Sequence, residues 1–176
     1  IPDDELNYLP FEALLDESRK YLVEKFAVQY QYATTLLGKD AGKLQAHNTL
    51  AFAPFASFNY SDTIGGSLPR LPASVDEVST LQGKIFSDSS ATKNNFLQSA
   101  NHYSIIHLAT HASVNNDEPF QSFIAFNPVN SDYKLYAQEI YDLNLDSTQL
   151  VILSACETGA RKLVKGEGLM SLSRAF

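Results

Sequence analysis

Two residues of this 176-residue chain carry types and spacing that could do chemistry, His111 and Cys156. Each closes an apolar run that reads as a β-strand. Tyr103-Ser104-Ile105-Ile106-His107-Leu108-Ala109-Thr110 leads into His111, and Gln149-Leu150-Val151-Ile152-Leu153-Ser154-Ala155 leads into Cys156-Glu157-Thr158-Gly159. A thiol is a poor nucleophile until its proton is taken, and imidazole is the side chain suited to take it near neutral pH. In open parallel sheets, ligands bind beyond the carboxyl ends of the strands, so a histidine and a cysteine at two such ends reach one crevice if the strands are neighbours. The interval of about 45 residues between them is ample for the crossover that parallel neighbours require. Gly159 allows the turn after Cys156 to present backbone N–H groups to a developing oxyanion.

Each residue alone has a plainer reading. Cys156 is the only cysteine, which excludes an internal disulfide and a cysteine metal cage, and a lone thiol is more often a small buried hydrophobe than a nucleophile. A lone strand-end histidine is more often a hydrogen-bonded core residue; only the pair shifts the balance. His107 stands four residues before His111, a spacing that suits zinc on a helix. On a strand it spans about 13 Å, too far for one ion, so His107 is expected to be buried and hydrogen-bonded beneath the site. His47 and His102 read as surface residues. Glu157 could face a basic substrate group or hold a local turn. Gly166-Glu167-Gly168 lacks the rest of a phosphate-binding fingerprint and reads as a turn and helix start.

The surrounding elements must position the pair. Short apolar runs alternate with helical stretches, the pattern of an α/β domain with a largely parallel sheet. Strands are predicted at Thr49–Phe55, Tyr103–Thr110, Phe120–Phe126 and Gln149–Ala155, with a further one at Phe26–Tyr32. Helices are predicted at Ala33–Leu37, Ser74–Gly83, Ser90–Ala100, Ala137–Leu143 and Gly166–Phe176, with Ser74 as N-cap of the second. The Gly- and Pro-containing stretch Ser57–Pro72 reads as a long surface loop, and Ser113–Pro119 as another directly after His111. No repeat or linker divides the chain, so residues 1–176 read as one domain.

Composition sets the class. An apolar fraction of 44% and a charged fraction of 19% belong to a globular protein, and no apolar run is long enough to span a membrane. A net charge of −7 argues against nucleic acid or an anionic membrane as partner. The chain opens Ile1-Pro2-Asp3-Asp4-Glu5 with no start methionine and no signal-peptide pattern, so it reads as an internal fragment.

The motifs resemble one family over nearly the whole chain. Thr110-His111 after an apolar strand, Leu153-Ser154-Ala155-Cys156-Glu157-Thr158-Gly159, Gly166-Glu167-Gly168 and the helix ending Arg174-Ala175-Phe176 look like the CHAT domain, a caspase-like domain often attached to tetratricopeptide repeats. Pro2–Leu6 and Leu9–Leu14 resemble its N-terminal hairpin, and Tyr136–Ile140 and Leu143–Leu145 its later segments. The resemblance implies a caspase-like three-layer αβα sandwich with a mostly parallel sheet, truncated at the C-terminus, because the family continues past Phe176 with further strands.

The resemblance also implies a function. It points to a cysteine endopeptidase with a His111/Cys156 dyad, a thioester intermediate, no metal or organic cofactor, and a cytoplasmic location. Its partners would be a protein or peptide substrate and a regulating tetratricopeptide-repeat region. The oxyanion donors would be the backbone N–H groups of Ala112 and Cys156; the family usually has glycine where Ala112 stands. Ser154 occupies the position that lines the pocket for the residue before the cut, where an acid selects Arg or Lys in some relatives. An uncharged serine argues against strict basic specificity. Two other readings stand beside this one: a catalytically silent CHAT module serving regulation or protein interaction, and a nucleotide-binding α/β domain.

Overall fold

The computed structural model describes residues 9–29, 48–61, 67–115, 117–129, 131–157, 172, 175 and 176, with 156 and 157 as backbone. The chain divides into two compact units, Ile1–Ala41 and Gly42–Phe176.

In the first unit, short 3-10 turns at Phe11–Ala13 and Leu22–Glu24 flank a tight chain reversal. Leu15 and Tyr21 form an antiparallel bridge, and Leu22 N donates to Leu14 O at 2.8 Å. Asp16 holds the reversal. Its carboxylate pairs with Lys25 and accepts from the backbone N–H groups of Lys20 and Ser18. The bond from Lys25 and then that from Lys20 hold its carboxyl below the ordinary aspartate value. Arg19, at φ 59°, takes the left-handed position of the turn. The predicted strand Phe26–Tyr32 does not form over its described part, Phe26–Gln29, which is irregular. Tyr30–Tyr32 and the predicted helix Ala33–Leu37 lie outside the described residues, as does the hairpin segment Pro2–Leu6.

The second unit is built on a sheet of six strands: β1 (Thr49–Ala53), β4 (Gly83–Ser87), β5 (Ile105–Ser113), β6 (Phe123–Ala125), β7 (Lys134–Tyr136) and β8 (Leu150–Glu157). A separate two-stranded ribbon joins β2 (Tyr60–Ser61) to β3 (Ser67–Leu68). The parallel core runs β4-β1-β5-β8. β8 accompanies β5 along one edge from Ile105 to Ala112. The other edge carries β1 from Ile105 to Leu108 and antiparallel β6 at Ala112 and Ser113. The sheet is therefore mixed but parallel where it matters for the candidate site.

Helices cover both faces. The period of two sends Ala51, Ala53 and Ala109 toward Val78 of α1 (Ala73–Ser79). The alternate residues Leu50, Phe52, Ile106 and Leu108 pack with Phe96 of α2 (Lys93–Ser99), Ile140 of α3 (Ala137–Tyr141), Leu172 and Ala175. Small residues on the α1 face let that helix sit close to the sheet. Large ones fill the opposite layer, where Phe52 meets the rings of Phe86, Phe96 and Phe126 at centroid distances of 4.9, 5.7 and 5.5 Å. This is an αβα sandwich of the caspase-like kind.

Several predicted boundaries move. β5 does not stop at Thr110 but carries His111 and Ala112 inside the strand, and β8 carries Cys156 and Glu157 likewise. The predicted helix Ser74–Gly83 ends at Ser79, because Gly83 opens β4. Ser74 lies within α1 and donates to Leu71 O at 2.7 Å, while Pro72 holds the N-cap position. α2 starts late, at Lys93, since Thr92 caps it by accepting from Asn95 N. Phe120–Phe126 opens as a 3-10 turn and is extended only over Phe123–Ala125.

The stretch Ser57–Pro72 is not simply surface loop. Leu68 is buried with Phe55, Ala125 and Tyr133, and Leu71, Phe58 and Tyr60 pack around them. Arg70 and the ribbon fold this segment back over the carboxyl end of β1. Arg70 N donates to Asn59 Oδ1, and its Nε to Ala56 O.

Candidate active site

β5 and β8 pair in parallel with His111 opposite Cys156 and Ala112 opposite Glu157. Neighbouring strands lie about 4.8 Å apart, so the two backbone positions are adjacent rungs at the carboxyl end of the sheet. The long apolar runs of both strands fix this register. A slip of one residue would turn Ile106 and Leu108 out of the α2/α3 layer.

His111 is buried, at 2% exposure, and its Nε2 lies 2.6 Å from the carbonyl oxygen of Pro69. A carbonyl only accepts, so Nε2 carries the proton and donates it. In the neutral ring this leaves Nδ1 as the basic nitrogen. Phe55, fully buried, packs its ring 5.0 Å from the imidazole and limits how the ring can turn. Tautomer and orientation are thus set by two groups from the segment after β1. Sequence reasoning missed Pro69, because the group that acts is a backbone carbonyl with no side-chain signature.

Ala112 is buried at 2% exposure and lies in regular strand. Among the described residues, the non-glycine positions with positive φ are Arg19 and Asp88, so Ala112 needs none of the freedom that glycine offers.

Below His111 on the same face of β5, His107 is 6% exposed and hydrogen-bonded, as its place beneath the site requires. Its Nε2 lies 2.8 Å from Glu77 Oε1 on α1 and 3.2 Å from Ser154 Oγ on β8. The Ser154 hydroxyl donates to the same Glu77 oxygen. Serine, histidine and acid meet here without forming a hydrolytic relay. In a relay the acid holds the ring nitrogen remote from the serine, whereas here both approach Nε2, and Nδ1 is buried without a partner among the described residues. Ser154 is therefore engaged with Glu77, a residue that the sequence offers only as an acid in the first half of a helix.

Of the remaining candidates, His102 is exposed as expected. His47, Gly159 and Gly166-Glu167-Gly168 lie outside the described residues. Among the described residues no cluster of His, Cys, Asp and Glu could hold a metal ion, and no helix is long and apolar enough to cross a membrane.

The arrangement brings together a histidine whose Nε2 is committed to Pro69 and, on the neighbouring strand, the backbone position of the single cysteine. No curated protein matches the chain. The family model of the CHAT domain matches residues 1–176, so the whole chain belongs to the CHAT-domain family.

Proposed function

We propose that this chain is the catalytic unit of a cysteine-type endopeptidase in which His111 activates Cys156. The observation that carries the reading is the β5/β8 register, with His111 opposite Cys156 and the histidine held through Nε2 by Pro69. Family membership adds that caspase-like domains of this kind are often protease-related.

The chemistry follows from the tautomer. Nδ1 of His111 takes the proton from the Cys156 thiol, and the thiolate attacks the scissile carbonyl carbon. The backbone N–H groups of Ala112 and Cys156 are the proposed donors to the oxyanion. The imidazolium, still donating through Nε2 to Pro69, passes the Nδ1 proton to the leaving amine as the C–N bond breaks. A water molecule then loses a proton to Nδ1 and attacks the thioester. The carboxylic acid leaves, and the sulfur regains its proton. No metal or organic cofactor enters this sequence. The substrate is a protein or peptide, and a tetratricopeptide-repeat region and a cytoplasmic setting complete the proposal.

The test is turnover of a fluorogenic peptide library by the protein and by its Cys156→Ala and His111→Ala variants. Loss of cleavage by at least about a hundredfold in both variants supports the assignment. Cleavage that persists in Cys156→Ala contradicts it, and a wild-type protein inert to every peptide favours the silent-module reading.

A further inference from the structure

Glu77 brings a carboxylate to Ser154 from outside β8. Ser154 stands two positions before Cys156, so it lies about 6.6 Å back along the strand at 3.3 Å per residue. Its hydroxyl and Nε2 of His107 both meet Oε1 of Glu77, which fixes the rotamer of the acid. Oε2 takes no partner among the described residues, and the side chain remains 40% exposed. No described lysine or arginine pairs with it; His107 is its hydrogen-bond partner.

The same short segment supplies both groups, since Pro69 precedes α1 and Glu77 lies within it. Pro69 holds His111 at the upper end of this face, and Glu77 holds Ser154 and His107 on the two sites below it, opposite Ala109 and Ile152. A carboxylate with one oxygen pinned and the other open, a fixed distance below the attacking position, is a receptor for a cation.

We propose that Glu77 is a specificity-determining residue that receives the lysine or arginine side chain of the substrate residue whose carbonyl is attacked. This inference rests on the peptidase reading and names its substrate class. An extended lysine side chain reaches about 6 Å from Cα to Nζ, matching the step from Cys156 back to Ser154. A cationic group there gains a charge-assisted hydrogen bond to Oε2. A neutral side chain covers the carboxylate without pairing it, and an acidic one is repelled. The uncharged Ser154 thus does not remove basic preference, because the acid arrives from α1 instead of β8.

The test uses three peptidyl acyloxymethyl ketone probes that differ only at the residue before the reactive carbon, carrying Arg, Leu or Asp. Rate constants for modification of Cys156 are read by intact mass for the full chain and for Glu77→Gln, which keeps an oxygen for His107 and Ser154. The Arg probe is expected to outpace the Leu probe by at least about tenfold, one charge-assisted hydrogen bond's worth, with the Asp probe slowest. In Glu77→Gln the Arg-to-Leu ratio is expected to fall to about two or less. Modification of Cys156 that is as fast with Leu or Asp overturns the inference while leaving the peptidase reading intact; that comparison needs no variant. An Arg-to-Leu ratio unchanged in Glu77→Gln overturns it as well. No modification by any probe overturns both.

Discussion

The carbonyl of Pro69 accepts a hydrogen bond from Nε2 of His111 at 2.6 Å, and this contact decides which nitrogen of the ring is available as a base. Pro69 belongs to the segment that follows β1, whereas Cys156 belongs to β8. The proposed dyad therefore depends on a third element that contributes only backbone. Phe55 completes the setting by packing on the ring that Pro69 orients.

Phe55→Leu is predicted to separate stability from activity. It keeps a large apolar side chain in a fully buried site, so the loss of stability should be about 1–1.5 kcal/mol by urea denaturation. It also frees the imidazole to turn. Peptide turnover should fall further than the unfolded fraction explains, with most of the loss in kcat.

Gly83 pairs with Thr49 where β4 meets β1, and a Cβ added there would lie 2.0 Å from the Thr49 carbonyl oxygen. Backbone cannot yield as a flexible side chain can. Gly83→Ala is predicted to displace the start of β4 and cost about 1–3 kcal/mol, the range for overpacking. Chemical denaturation measures it, and a cost below about 0.5 kcal/mol would contradict the close approach.

Lys93 on α2 is buried and pairs with Asp132 at 2.8 Å and Glu139 at 2.7 Å, while Glu139 also accepts from the N–H of Tyr136 at the start of α3. Burial works to lower the lysine pKa, but the bonds to Asp132 and Glu139 outweigh it, and the net shift is upward from 10.5. A raised folded value means that the contribution is fully present below about pH 10.5 and is lost as pH rises through the folded value. Lys93→Met removes that contribution and leaves both carboxylates without their cation, so it should lower stability near pH 7 and flatten the alkaline loss. Thermal melts of both proteins from pH 7 to 12 check it.

Much of this fold is legible because β5 and β8 are rich in apolar residues, with 150–153 an unbroken apolar run, and β5 is buried over 106–112. The reactive residues at their ends are legible for the same reason. β4 is harder to read, since Gly83, Lys84 and Ile85 are exposed at an edge and Gly83 looks like the stop of a helix. β7, three residues of which only Leu135 is buried, is too short to show a period. Proline and glycine mark Ser57–Pro72 as loop, yet Leu68 and Leu71 carry it into the core, and that packing places Pro69 against His111. Glu77 is invisible as a site residue because its partners come from β5 and β8, far away in the chain.

The central claim is that His111 acts on Cys156, and the rate of Cys156 alkylation by iodoacetamide as a function of pH tests it without any substrate. If the imidazole activates the thiol, the wild-type rate should stay high well below the ordinary thiol range of about 8.5, and His111→Ala should return the profile to that range. A wild-type profile that already follows a free thiol, unchanged by His111→Ala, would contradict the account.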